Sequence, residues 1–134
     1  MYSEHFLSSK YGGVVFQPLF FQFPNDSTTF DNIDKQVMVG PSLMLAPILK
    51  EDTADFMAYL PNENWNHLIV DNDLTLNNFA DYDKTQAKGK TIKLSAEYTD
   101  LHLFLRGGRI LPLQFNSNTV RRSRELRDLK TTII

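Results

Sequence analysis

Leu101-His102-Leu103-Phe104-Leu105-Arg106-Gly107-Gly108-Arg109-Ile110-Leu111-Pro112-Leu113-Gln114 is the stretch that decides the fold class of this chain. Residues 101–105 alternate along an extended backbone, which turns one side toward a core and the other toward water. Residues 109–113 form a second strand candidate. Two glycines between two strands make a tight turn far more often than a phosphate-binding loop.

Working outward, Leu43–Leu49, Phe56–Leu60, Trp65–Val70, Leu74–Leu76 and Thr91–Leu94 are further strand candidates. They recur at intervals of roughly 8–12 residues with turn signals between them, the spacing of a β-sandwich or barrel. The Asn- and Asp-rich stretch from Asp71 to Asp83 suggests a long solvated loop. Val14–Phe23 is a Val- and Phe-rich strand interrupted by Pro18, which predicts an edge position or a bulge. Pro24-Asn25-Asp26-Ser27 is a turn cluster. Phe30, Ile33, Val37 and Met38 recur at mixed three- and four-residue spacing, which predicts a short helical turn ending at Gly40-Pro41.

Residues 1–10 predict an amphipathic helix with Tyr2 and Phe6 on one face, His5 beside them, and Gly12-Gly13 as the stop. An isolated helix needs roughly 12–15 residues to hold in water, so this one has to pack on something. After Gln114 the chain becomes basic, with Arg121, Arg122, Arg124, Arg127 and Lys130, and then strand-like at Thr131–Ile134. A chain that stops inside a strand suggests a cut end. The expected fold is mostly β, an antiparallel β-sandwich with one short N-terminal helix.

Composition narrows the function classes. The 134 residues are 42% apolar and 12% aromatic, enough to bury one core. The net charge of -2 offers nucleic acid no general attraction. No apolar run approaches the roughly 18–20 residues that span a bilayer. Neither nucleic acid nor a membrane is therefore an expected partner. The start at Met1-Tyr2-Ser3-Glu4-His5 has neither the basic residues nor the apolar run of a signal peptide. There is no cysteine, which removes disulfides and thiolate metal sites.

No catalytic constellation stands out. Asp31 and Asp34 are three residues apart and could share a site, but capping and turn roles are the favoured reading. His5, His67 and His102 lack metal-ligand spacing, so no metal or cofactor is expected. Asp71-Asn72-Asp73 and Asp81-Tyr82-Asp83 look like calcium loops. Counting from Asp71, however, the positions that require Gly and Glu hold Leu76 and Tyr82; from Asp81 they hold Gln86 and Ile92. Trp65 with Tyr59 and Tyr82 is the candidate sugar-stacking platform, although a lone tryptophan between apolar strands is more often core. Asn25-Asp26-Ser27 is a glycosylation sequon, making Asn25 the candidate acceptor.

The strings in order carry a resemblance. Gly12-Gly13-Val14-Val15-Phe16-Gln17-Pro18-Leu19-Phe20-Phe21, Phe23-Pro24-Asn25-Asp26 and Ile33-Asp34-Lys35-Gln36-Val37-Met38-Val39-Gly40-Pro41 come first. Leu43-Met44-Leu45-Ala46-Pro47-Ile48-Leu49, Ala58-Tyr59-Leu60-Pro61, Trp65 and Leu105–Gln114 follow. Together they resemble glycoside hydrolase family 31, the α-glucosidases of lysosomal and sucrase-isomaltase type, over about residues 2–124.

The resemblance implies that 1–11 are the end of the last helix of a catalytic (β/α)8 barrel and that 12–114 are the proximal C-terminal β-sandwich. Residues 115–134 would be the linker and the start of a distal sandwich, where Thr119 and Ser123-Arg124 echo the family's linker. The family's catalytic aspartates lie on barrel strands before anything present here, so no catalytic residue carries over. The implied role is support of a barrel on the same parent enzyme or on a separate chain, with an oligosaccharide as a further expected partner. Asp34, Gln36, Arg106 and Gly107 are the expected structural supports, and a lysosomal or secreted parent is implied. Gln17 and Gln22 depart from the family's usual Arg and Glu, and Asn66-His67 replaces Tyr-Asp. Rival readings are an independent carbohydrate-binding module, a scaffold or assembly protein that kept the fold, and one polypeptide of a split enzyme.

Overall fold

The computed structural model describes residues 1–31, 33–70, 74–85, 88–97, 101–114 and 129–133. Its largest sheet has six antiparallel strands in the order β1 (Phe16–Gln17), β2 (Val37–Val39), β3 (Leu43–Ala46), β8 (His102–Arg106), β5 (Trp65–Val70) and β6 (Leu74–Ala80). Two antiparallel pairs complete the described strands: β4 (Asp55–Leu60) with β7 (Lys90–Ser95), and β9 (Ile110–Gln114) with β10 (Leu129–Ile133). The chain is thus an antiparallel β-sandwich with one short helix, α1 (Tyr2–Tyr11).

The core lies between the six-stranded sheet and the β4–β7 pair. Met44 faces Phe104 across the β3–β8 ladder, and both are fully buried. Ala58 and Leu60 of β4 and Leu94 of β7 close over them with Trp65 and Leu19. The side of β8 turned inward carries His102 and Phe104, while Leu101 just before the strand is exposed. An alternating pattern fixes that two faces exist; pairing partners decide which is buried.

Several expectations need correction. Val14–Phe23 is strand only at Phe16–Gln17, at the sheet edge. Pro18 supplies no ladder N–H and instead caps a 3-10 turn over Leu19–Phe21. The predicted helical turn before Gly40 is strand β2, because Val37–Val39 find Leu43–Leu45 across a tight turn and pairing outweighs the helical spacing. A 3-10 turn does form, but earlier, at Ser27–Phe30. Within the predicted loop 71–83, Leu74–Ala80 is a full strand, held in register by β5 with a bulge between Trp65 and Asn66. The loop reading survives only around it, with 71–73 outside the described residues.

Helix α1 forms and stops at Gly12 as expected, with the Gly12 N–H donating to the Ser8 carbonyl at 2.9 Å. It buries none of its residues: Tyr2 is 90% exposed and Phe6 59%. Glu4 reaches the sandwich, its carboxylate filling the space beside Gly40, where a Cβ would come within 2.6 Å of it.

Candidate functional site

A buried polar hub ties the turns to the sheet. Gln36 is 3% exposed, and its side-chain amide brackets the backbone of Tyr59. Oε1 accepts the Tyr59 N–H at 2.7 Å and Nε2 donates to the Tyr59 carbonyl at 2.8 Å. One side chain thereby satisfies two buried backbone groups of β4 that no strand reaches. The Tyr59 hydroxyl donates to Asp26 Oδ2 at 2.6 Å and accepts the Gly89 N–H at 2.7 Å. Asp26 Oδ1 accepts the Thr28 N–H, capping the 3-10 turn, and Thr29 Oγ1 donates to the Asp26 carbonyl. Burial, and then the hydrogen bond to Asp26, push the Tyr59 phenol above its usual 10.0.

A second junction centres on Arg106 at the end of β8. Its guanidinium pairs with Glu63 and lies 4.9 Å over the ring of Phe23. Its backbone N–H donates to Ser42, and the next N–H, from Gly107, donates to the Asn64 carbonyl at 2.8 Å. A Cβ on Gly107 would stand 2.8 Å from Asn64 Cβ, so only glycine allows this approach. Gly108 takes a positive φ of 70°, which makes Gly107-Gly108 a tight turn.

Of the residues singled out from sequence, Gln36, Arg106 and Gly107 therefore hold elements together, while Asp34 stands exposed two residues before Gln36. Asn25 is exposed beside the buried Asp26. Trp65 cannot be a sugar platform: it is fully buried, its indole N–H donates to the Pro61 carbonyl at 2.8 Å, and Phe23 packs on it. Tyr59 is buried as well. Only Tyr82 of that trio reaches solvent.

Gln17 and Gln22 meet in one hydrogen bond of 2.8 Å from Gln22 Nε2 to Gln17 Oε1.

Sequence reasoning missed Asp26 as a hub and the pairing of His67 with His102. These rings stack 5.3 Å apart, with His102 Nδ1 3.2 Å from His67 Nε2, and the other His102 nitrogen is 2.9 Å from the Ser95 carbonyl. Among the described residues, no three His, Cys, Asp or Glu gather as a metal site. The basic residues 121–127 lie outside the described residues.

Exposed apolar side chains concentrate in the first quarter of the chain. Met1, Tyr2, Phe6, Tyr11, Val14 and Phe16 are exposed along α1 and β1. Phe20 stacks on Phe21 at 5.1 Å and on Phe30 at 5.0 Å, yet Phe21 and Phe30 remain about half open to solvent. Most exposed large apolar side chains among the described residues fall between Met1 and Ile33.

Three comparisons bear on this arrangement. The family model described as glycosyl hydrolase family 31 C-terminal domain matches residues 12–111. The lysosomal alpha-glucosidase of Rattus norvegicus is 31% identical over 121 residues, covering 85% of this chain and 13% of that protein. The probable maltase-glucoamylase 2 of Homo sapiens is 32% identical over 114 residues, covering 85% of this chain and 4% of that protein. The family 31 alpha-xylosidase from Xanthomonas citri superposes with a TM-score of 0.74 at 22% identity, over 98% of this chain and 13% of its own. That likeness concerns the fold alone. The chain spans about an eighth or less of the length of each of these proteins.

Proposed function

This chain belongs to glycoside hydrolase family 31, and from that membership we propose that it is a non-catalytic β-sandwich that buttresses a catalytic (β/α)8 barrel in an enzyme cleaving α-glucosidic bonds. The observation that carries the reading is the concentration of exposed large apolar side chains between Met1 and Ile33. Each large apolar side chain left in water can gain from a partner, and full burial of a Phe or Leu side chain gives about 1.5–3 kcal/mol. Helix α1, with no buried residue of its own, needs such a partner most. In this reading 1–11 end the last barrel helix, 12–114 form the proximal sandwich and 115–134 lead into a distal one.

Support follows from the polar hub. Asp26 caps the turn that ends at Phe30 and binds Tyr59, and Phe20 stacks on Phe30, so this aromatic cluster is held before a partner arrives. Preformed surfaces bind with less ordering cost. Chemistry stays with the barrel, where a retaining mechanism sets two carboxyl groups roughly 5 Å apart.

The test is the native mass of the chain in its source material, by size exclusion with mass spectrometry of what co-elutes. Travel with, or on, a barrel-containing polypeptide is expected. Elution alone near 15.5 kDa, or turnover of maltose by the pure chain, overturns the reading.

A further inference from the structure

An open groove of about 450 Å³ on the surface is lined by residues 80–84 and 88–90 and floored by Leu60 and Pro61. Its two walls are unusually well fixed. On one, the Asn62 side-chain amide makes a pair of bonds to Asp83, donating to its carbonyl at 2.7 Å and accepting its N–H at 2.9 Å. Asn64 Oδ1 accepts the Tyr82 N–H at 2.6 Å, and Asn64 is itself gripped by Gly107. On the other wall, Gly89 donates to the Tyr59 hydroxyl and lies so close to the Leu60 carbonyl that a Cβ would fall 1.8 Å from it.

Ordering a connection costs conformational entropy, usually repaid by burying its side chains. Here Tyr82 is 53% exposed, and Lys84 and Lys88 also face water. Among the described residues no other ring stacks on Tyr82. The backbone is held at Tyr82, Asp83 and Gly89 while Tyr82, Lys84 and Lys88 are presented to water, the arrangement of a preorganised binding surface. The volume lies within the roughly 300–1,000 Å³ of small-molecule sites.

The rim chemistry selects the ligand class. Lys84 and Lys88 supply donors, Asp81 supplies acceptors, and Tyr82 supplies a flat ring with a polar tip. Charges of both signs leave no net field to favour an anion, and a single aromatic ring is too little for an apolar ligand. We propose that this groove holds a neutral α-linked oligosaccharide, with the pyranose C–H face on Tyr82 and its hydroxyls bonded to Lys84, Lys88 and Asp81. The α-linked class rests on the functional reading above; the groove itself does not.

The test titrates the isotope-labelled full chain with maltoheptaose and follows backbone amide shifts. Saturable shifts confined to residues 81–84 and 88–90 are expected, in the millimolar range. Tyr82→Ala should weaken binding about three- to tenfold, as the loss of one aromatic contact implies, with Trp65 emission unchanged. Lys88→Ser should weaken it as well. Absent shifts, shifts elsewhere, or full affinity in Tyr82→Ala overturn the site, and equal binding of cellohexaose overturns the linkage class. A chain that co-elutes with a barrel yet ignores maltoheptaose refutes the groove alone. A chain that runs alone yet binds it refutes the buttress alone.

Discussion

Removing the amide of Gln36 is the most direct probe of how the sandwich is held. Gln36→Ala deletes both partners of the Tyr59 backbone, leaving a donor and an acceptor behind in a site 3% open to solvent. An orphaned buried group costs about 1–3 kcal/mol, so the pair costs about 2–6 kcal/mol. A domain of this size has about 5–15 kcal/mol in all. The loss is therefore a large fraction of the total. Urea unfolding read by Trp65, the single tryptophan and fully buried, reports it directly. With a slope of about 2 kcal/mol per molar, a loss of about 4 kcal/mol moves the midpoint down by about 2 M.

Gln36→Glu sharpens the test. The introduced carboxylate would set an oxygen against the Tyr59 carbonyl where Nε2 now donates, so its neutral form is favoured in the folded state. Its folded pKa then lies above the unfolded value of about 4.3. The stability this gives is present below about pH 4.3 and lost as pH rises through the folded value. Gln36→Glu should thus be closer to wild type at pH 4 than at pH 7, while Gln36→Ala shows no such trend. A midpoint shift below about 0.3 M for Gln36→Ala at unchanged slope would refute the bracket as a structural support.

Tyr59 gives a prediction at the opposite end of the scale. Its folded pKa is raised above 10.0, so its contribution is complete below pH 10 and falls as pH rises through the folded value. Tyr59→Phe should be less stable than wild type at pH 8, and the gap should narrow above pH 10 in paired denaturant titrations. Gly89→Ala should cost at least about 2 kcal/mol in the same assay, because its Cβ meets the backbone of Leu60 and Pro61, which cannot step aside.

What could be read from sequence was what repeats locally. Strands β3, β4, β5, β7, β8 and β9 stand where apolar residues and turn signals put them, within a residue or so at most ends. β2 was hidden because three residues carry too little periodicity, and β6 was legible only at Leu74–Leu76 because Asn77-Asn78 reads as loop until β5 pairs with it. The hub was invisible for another reason. Asp26 and Tyr59 are separated by 33 positions, and no local pattern marks a carboxylate and a phenol that will meet. The same limit applies to Trp65, whose exposure is decided by Phe23 and Pro61 rather than by its own strand.

The hub also links the turn that carries Phe30 to the polar groove. Asp26 caps the turn that ends at Phe30, and the Tyr59 hydroxyl that binds Asp26 also receives Gly89 from the wall of the polar groove. One phenol thus fixes a turn on each side of β4. An apolar side chain of the same size could fill the space, but it could bind neither the Gly89 N–H nor Asp26 Oδ2, and each would lose that partner. The polar group stays in the core because it anchors backbone on both sides at once, which hydrophobic packing, being non-directional, cannot do.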